Sequence, residues 1–256
     1  MTHFLSMNIR GLGDASKQHR LRNIIKSGEP CIILCQETLS NRVKAINTFL
    51  SICKGWSAID VDAVGHSGGL IALWDPIWGK FKAYKFYGGI LLTGHIRGFA
   101  GTLNIVNLYA PYQHKLVFWN KFIFSVILYL KNLIVMGDFN LTMNLNEIWG
   151  DRARGDGLAD FLHELFTEFN MVDIRPTPII PTWTNKRIGS DFIGKRLDHA
   201  MVKDNLIISL GLPRTEVLIS QISDHMPILL SWRVGDRPSG LHFKFNRAWL
   251  ADKEFV

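Results

Sequence analysis

Leu133-Ile134-Val135-Met136-Gly137-Asp138-Phe139-Asn140 joins an apolar run to a glycine, then to a carboxylate and a carboxamide two positions apart. The run has the composition of a strand buried on both faces. A strand turns residues i and i+2 to the same side. Asp138 and Asn140 therefore project together from its end, where α/β proteins place their ligands. An acid beside an amide suits the holding of a hard cation, or of an attacking water beside a phosphate. An ordinary strand closing in an Asx turn would look the same in isolation. The rest of the chain tips the balance, because other strand ends carry residues of the same kind.

Upstream of this stretch, residues 115–130 place Leu116, Trp119, Ile123, Val126, Ile127 and Leu130 at helical spacing. The most apolar part, 122–130, lies between Lys121 and Lys131 and falls well short of the roughly 20 residues of a membrane span. A helix buried on most of its faces is expected, and no membrane association. Residues 102–109 read as a strand ending in Tyr109, and 81–87 with 90–97 as an antiparallel pair turned at Gly88-Gly89. Residues 56–64 alternate as a half-buried strand, with Trp56, Ala58, Ile59 and Val61 set against Ser57, Asp60 and Asp62; another strand, 70–74, follows Gly68-Gly69. After Pro30, residues 31–35 form a buried strand that ends in Gln36-Glu37-Thr38, ahead of a helix over 42–49. Glu37 is thus a carboxylate at a strand end, or else a solvated edge residue or an acid favouring the next helix N-terminus. Residues 4–9 form a strand reaching Asn8, followed by the turn Arg10-Gly11-Leu12-Gly13. The phosphate-loop glycine pattern is incomplete there. Position 16 is Ser16, expected to cap a helix bearing Leu21, Ile24 and Ile25.

Downstream, a loop of mixed charge (145–156) leads to an apolar helix face made by Leu158, Phe161, Leu162, Leu165, Phe166 and Phe169. A proline-rich connection (175–181) precedes a basic segment punctuated by glycine, with Lys186, Arg187, Lys195 and Arg196 alongside Trp183 and Phe192. Cations interleaved with aromatics suit phosphate contacts and a wedge or stacking surface in a groove; a basic surface hairpin is the plainer reading. Asp198 opens a strand over 197–202, and Asp224-His225 precedes another over 228–232. An adjacent Asp-His pair can supply a ligand and a general acid or base, although a lone histidine is more often structural.

The chain has 256 residues, 47% hydrophobic and 20% charged. That composition excludes a disordered chain and allows a single large domain. The net charge of +7 favours a polyanionic partner. Cys31, Cys35 and Cys53 are an odd set among apolar neighbours and read as reduced, buried thiols of an intracellular protein rather than zinc ligands. The start, Met1-Thr2-His3, opens almost directly into a strand, and no signal peptide is expected. No repeat interrupts the domain, placed at residues 1–234. Residues 235–256 read as a polar break followed by an amphipathic tail.

Taken in order, Asn8, Glu37, Tyr109, Asp138 with Asn140, Asp198, and Asp224-His225 resemble the motif series of the endonuclease/exonuclease/phosphatase family. The likeness covers about residues 4–233. Its wording is similar to the endonuclease domain of plant LINE-type (non-LTR) retrotransposons: MNIRGLG (7–13), CQET (35–38), SGGLIALW (67–74), NLYAP (107–111), VMGDFNL (135–141), PTWTN (181–185), KRLDHAMV (195–202) and SDHMPILL (223–230). The tail FKFNRAWLADKEF (243–255) resembles the connection toward a reverse transcriptase. Met7 stands where the family often has an aromatic residue, and His199 where these elements commonly carry Arg; packing or DNA contact would feel both changes.

The resemblance implies an α/β fold, a four-layer sandwich of two packed mixed β-sheets flanked by helices, like deoxyribonuclease I. It implies that Glu37, assisted by Asn8 and Asp224, holds Mg²⁺, with Mn²⁺ as the substitute. Asp138 would activate the attacking water and Asn140 position it. His225, paired with Asp198, would bind the scissile phosphate, and Tyr109 would donate a hydrogen bond to it. Trp183, Lys186, Arg187, Lys195 and Arg196 would form a loop that reads double-stranded DNA. The implied product is a nick with a 3′-hydroxyl, made in the nucleus, although no compact basic import cluster is visible. The rival readings are a family phosphoesterase acting on abasic DNA or a phosphoinositide, and an inactive remnant of an element.

Overall fold

The computed structural model describes residues 1–13, 15–64, 67–151 and 153–232. In chain order the elements are β1 (Thr2–Asn8), α1 (Ala15–Gly28), β2 (Ile32–Gln36), α2 (Arg42–Ile52), β3 (Ser57–Val64), β4 (Ser67–Trp74), β5 (Gly79–Phe86), β6 (Gly89–Ile96) and β7 (Leu103–Tyr109). There follow α3 (Lys115–Ile123), β8 (Leu133–Asp138), β9 (Ile148–Trp149), α4 (Ala159–Glu168), β10 (Met171–Asp173), β11 (Trp183–Thr184), β12 (Gly194–Lys195), β13 (Asp198–Lys203), α5 (Asp204–Leu210), β14 (Arg214–Val217) and β15 (Ile228–Trp232). One six-stranded sheet has the order β14-β15-β1-β2-β4-β3, a second the order β10-β13-β8-β7-β6-β5, and β11-β12-β9 form a small third sheet. β1 with β2 and β7 with β8 are parallel, so both large sheets are mixed. The expected four-layer sandwich is the fold found.

The alternation of strand side chains produces three apolar layers. Ile134 and Met136 of β8 and Ile32 and Leu34 of β2 meet between the sheets. The intervening Leu133 and Val135 lie beneath α3 and α4 with Trp119, Leu162 and Phe166. Ile33 and Cys35 lie beneath α1 and α2 with Leu21 and Phe49. Strands covered on both faces need apolar residues at every position, which is why β2 and β8 are unbroken runs. Each Leu, Ile or Phe fully buried in this way contributes about 1.5–3 kcal/mol. Cys31, Cys35 and Cys53 are buried free thiols, and burial raises the pKa of all three.

Several local expectations need correction. The helix predicted over 115–130 ends at Ile123; after a break at Phe124 and Ser125 only a single 3-10 turn, Val126–Tyr129, continues. Phe124 and Val126 point to solvent, so the apolar spacing beyond Ile123 did not mark one face. Ser16 lies within the first turn of α1 and accepts from Arg20 at 2.8 Å. Asp60, expected on the solvent side of β3, is buried with Arg42 Nε at 3.3 Å. The loop over 145–156 contains β9. Residues 235–256, read as a tail, lie outside the described residues. Among the described residues no helix is long and apolar enough to cross a membrane.

Candidate active site

Topology brings the polar strand ends together. The parallel pairs β1–β2 and β7–β8 finish at the same edge of the sandwich, and the antiparallel β13 starts there. Tyr109, Asp138 and Asp198 occupy one rung across β7, β8 and β13, and Asn8 is level with Gln36. Asp224-His225, just before β15, is held at the same edge by a bridge between Trp183 and His225. At Gly137, φ is 150° and a Cβ would lie 1.8 Å from the Leu108 carbonyl oxygen; only glycine lets β8 pass β7 this closely. Phe139, opposite in facing to Asp138, is buried against Trp119 and Phe166 at ring separations of 5.4 and 6.0 Å. This aromatic contact anchors the strand end that carries the acid.

The polar groups form one network. Asn8 Nδ2 donates to Glu37 Oε1 at 2.7 Å and to Asp138 Oδ2 at 2.8 Å. The Tyr109 hydroxyl donates to Glu37 Oε1 at 3.0 Å. The Asn140 backbone N–H donates to Asp138 Oδ1 at 2.8 Å, and its side-chain amide to the Ala110 carbonyl at 2.7 Å. His225 Nδ1 lies 2.9 Å from Asp198 Oδ2, and its Nε2 lies 3.8 Å from Asp138 Oδ2. Thr182 Oγ1 accepts from the N–H groups of Leu197 and Asp198 at 2.9 and 3.0 Å, and Ser223 Oγ ties the Asn8 carbonyl to the His225 N–H at 2.8 Å each. Glu37 and Asn140 both have left-handed backbones, with φ of 50° and 52°. Asparagine tolerates this region; for glutamate it is strain located at the site.

Burial lifts Asp138 to about 7; Asp198 adds to the rise, while His225, Asn8 and the Asn140 N–H oppose it. Burial alone would lower His225, but Asp198 and then Asp138 reverse this and raise it to about 9. Tyr109 is raised by burial and then by Glu37, so it stays a hydrogen-bond donor. Near neutrality the site therefore pairs a carboxyl poised to exchange a proton with a retained imidazolium.

Two groups of side chains have metal-ligand types close together. Asp138, Asp198 and His225 have ligand atoms within 4.8 Å of one another and could hold a metal ion, although each is already engaged in the network. The second group, Glu147, Asp173 and His199, encloses Arg196 instead. Glu37 and Asp224 offer a third position, reached from solvent, with side chains 13% and 17% exposed. Arg10 Nε already sits there, 3.1 Å from Asp224 Oδ1 and 4.0 Å from Glu37 Oε2. Oxygen donors that already draw a positive charge fit a hard divalent cation.

The structure gathers Asn8, Glu37, Tyr109, Asp138, Asn140, Asp198, Asp224 and His225 at one edge, but it changes several details. The Asn8 oxygen accepts from the Arg10 N–H at 3.1 Å, and its Nδ2 tethers Glu37 to Asp138. Trp183 donates through Nε1 to Asp224 Oδ2 at 2.8 Å. Lys186 and Arg187 are exposed. Lys195 is partly covered, with Nζ 3.1 Å from the Arg154 carbonyl. Arg196 is no DNA contact: it is 1% exposed and bonded to Glu147 at 2.7 Å and to Asp173 at 2.6 and 2.7 Å. It directly follows β12, and its backbone N–H donates to the Glu147 carbonyl at 3.0 Å. His199 is likewise buried, 3.1 Å from the Leu141 carbonyl and stacked on Phe139, so its change from Arg touches packing and not a surface. Reading the sequence missed Arg10, Thr182, Ser223 and a buried bridge between the sheets. There Gln36 donates to Asn107 at 2.7 Å, and Asn107 donates to the carbonyls of Cys35 and Ile71 at 3.0 Å each. All of them lie inside the motif phrases MNIRGLG, CQET, NLYAP, PTWTN and SDHMPILL, but nothing local to those phrases singles them out from their neighbours.

A cavity of about 1130 Å³ is lined by Met1, His3, Phe99, Leu210 and Trp232 among others and includes none of these site residues. A groove of about 510 Å³ does adjoin them, bordered by Arg10, Lys17, Trp183, Lys186, Arg187 and Asp224.

The description "Endonuclease/Exonuclease/phosphatase family" matches residues 5–225. Among solved structures, the endonuclease domain of TRAS1, a telomere-specific non-LTR retrotransposon, is similar at 17% identity with a TM-score of 0.68; the match covers 92% of this chain and 100% of that one. An AP endonuclease from Archaeoglobus fulgidus is 18% identical with a TM-score of 0.71, over 91% of this chain and 100% of that one. The Xenopus laevis APE2 catalytic domain is 16% identical with a TM-score of 0.71, over 91% and 92%. At these identities the likeness is one of fold.

Proposed function

The chain belongs to the endonuclease/exonuclease/phosphatase family, and from that premise we propose that it is a divalent-cation-dependent endonuclease that nicks double-stranded DNA and leaves a 3′-hydroxyl. The observation that carries this reading is the row Asp198–His225–Asp138, hydrogen-bonded at 2.9 Å on one side of the ring and in ionic contact at 3.8 Å on the other, set beside the Glu37–Asp224 position. In this reading Asp138 takes a proton from the attacking water. Its two oxygens are held by Asn8 and the Asn140 N–H, so its orientation is fixed before substrate arrives. The Asn140 amide, anchored on Ala110, directs its oxygen to the same water. His225, kept as imidazolium by Asp198, stabilises negative charge on the phosphoryl group, and the Tyr109 hydroxyl donates to a phosphate oxygen. Glu37 and Asp224 hold the cation, most simply Mg²⁺ with Mn²⁺ as substitute. When bound, that ion would supply Lewis-acid polarisation of the phosphate and neutralisation of the leaving oxygen. Lys186 and Arg187 track the duplex backbone.

The wording shared with plant LINE-type elements supports a retrotransposon origin and work on chromosomal DNA in the nucleus. The test is conversion of supercoiled plasmid to open circle in Mg²⁺ by wild type and by His225→Ala. Nicking that EDTA abolishes, that the variant lacks, and whose ends a polymerase extends supports the reading. Cleavage confined to abasic duplex moves the assignment to repair-type chemistry, and a folded wild type inert on both substrates defeats it.

A further inference from the structure

Arg10 occupies an unusual position. Its guanidinium stands between the two carboxylates best placed for a cation, 3.1 Å from Asp224 and 4.0 Å from Glu37. Yet the Asp224 oxygen nearest to it makes no aligned hydrogen bond, so the pair is held by charge and not by a directed bond. The backbone is fixed independently of the side chain. Arg10 N–H donates to Asn8 at 3.1 Å, its carbonyl accepts from Lys17 at 3.0 Å, and Gly11 N–H donates to the Glu37 carbonyl at 2.6 Å. The φ of 42° places Arg10 at the rim of the groove, where its side chain is 48% exposed. Lys17, Lys186 and Arg187 border that same groove.

We propose that Arg10 is a resident stand-in for the divalent cation: it holds the gap between Glu37 and Asp224 while the ion is absent, and is expelled by the ion into the groove, where it takes up a phosphate of the DNA backbone. The inference rests on the assignment of Glu37 and Asp224 as cation ligands. Its physical basis is competition of two positive charges for one pair of carboxylates. A guanidinium has five donors and binds either carboxylate or phosphate, so losing the acids leaves it able to take a phosphate in the groove it borders. Cation binding and DNA binding are then coupled through a single side chain, and by linkage each strengthens the other.

The test uses isothermal titration of Mn²⁺ into the full chain as wild type, Arg10→Gln and Glu37→Gln. Removing the competing charge should tighten Mn²⁺ binding about tenfold, the scale of one full charge a few ångströms away near a protein surface, while Glu37→Gln should weaken it by at least as much. A second arm measures duplex affinity with Mg²⁺ and with EDTA in a His225→Ala background, which keeps the DNA uncut. Mg²⁺ should strengthen binding several-fold more when Arg10 is present than in Arg10→Gln. If Glu37→Gln loses Mn²⁺ but Arg10→Gln binds it no more tightly than wild type, the competition is overturned while the cation assignment stands. If Glu37→Gln binds Mn²⁺ as wild type does, or neither wild type nor Arg10→Gln binds it, the cation assignment fails and the inference with it. Equal strengthening of DNA binding by Mg²⁺ in both backgrounds overturns the transfer to phosphate.

Discussion

His225 sits between two carboxylates that pull its proton in the same direction. Burial disfavours the imidazolium, and Asp198 with Asp138 overrides burial, bringing the ring to about 9; burial and Asp198 bring Asp138 to about 7. Nicking should therefore rise with pH toward about 7, as Asp138 loses its proton, and fall as pH passes about 9 and the ring loses its own. Asp198→Asn removes a contribution that raises both groups. Both limbs of a pH–rate profile should then move to lower pH, by roughly one unit or more; a fixed upper limb would mean that Asp198 does not set the histidine. Arg196 poses the opposite case, a charge whose role is entirely internal. Arg196→Ala would strand Glu147 and Asp173 in the interior and should cost about 3–5 kcal/mol in urea unfolding. Burial raises Asp173, but Arg196 outweighs it and the folded pKa is depressed. Its contribution to stability is thus present above the ordinary carboxyl value and lost as pH falls through the lower folded one. Wild type should lose stability steeply below about pH 4, and the Arg196→Ala variant should have a shallower acid slope. None of this was visible in the segment 186–196, where four cations looked alike. Which of them face water depends on the pairing of β12 with β9 and β11, a long-range contact that local spacing does not encode.

Among the elements, β8 is legible in the sequence alone, as is the apolar face of α4. A strand covered on both sides leaves an unbroken apolar run, and the other strand ends of the chain give Asp138 and Asn140 their meaning. Gly137→Ala tests the close passage of β8 by β7: strained φ and the Leu108 carbonyl together should cost roughly 2–6 kcal/mol, read from the urea midpoint. A fully stable variant would show that β7 and β8 are not so closely opposed. The segment after α3 shows where periodicity misleads. Val126, Ile127 and Leu130 continue the helical spacing of Leu116 and Trp119, yet the chain turns at Phe124 and Ser125 because β8 must begin level with β7. Tertiary placement overrode propensity there. The short strands β9, β11 and β12 form the platform from which Lys186 and Arg187 project. Changing both to Gln should lower the slope of log affinity against log salt for duplex DNA by about 1.8, close to 0.9 for each phosphate contact. Thermal stability should stay the same, since neither side chain packs into the core.

In the whole molecule, two sheets contribute different parts of the site. Asn8 and Glu37 extend from the sheet containing β1 and β2, and Asp224 with His225 lead into it through β15. Tyr109, Asp138 and Asp198 belong to the other sheet. The family motifs made this assembly legible as a list of residues. Gln36 and Asn107 stand within the phrases CQET and NLYAP, but that they pair to join the two sheets just below the site could be found only in three dimensions. Asn107→Leu should cost about 1–3 kcal/mol by leaving the Cys35 and Ile71 carbonyls without a donor. It should also slow nicking by more than its effect on melting accounts for, because Tyr109 ends one of the strands it joins and Glu37 directly follows the other. A rate unchanged at temperatures where the variant is folded would show that the bridge serves stability alone. The order of the site along the chain has a further consequence for a protein made from its N-terminus. Asn8 and Glu37 are made before Asp224 and His225, which directly precede β15, the last strand among the described residues. Until β15 inserts beside β1, a growing chain has Glu37, Asp138 and Asp198 but neither Asp224 nor the imidazole. The complete constellation is thereby assembled only once residues 224–232 have been made and docked.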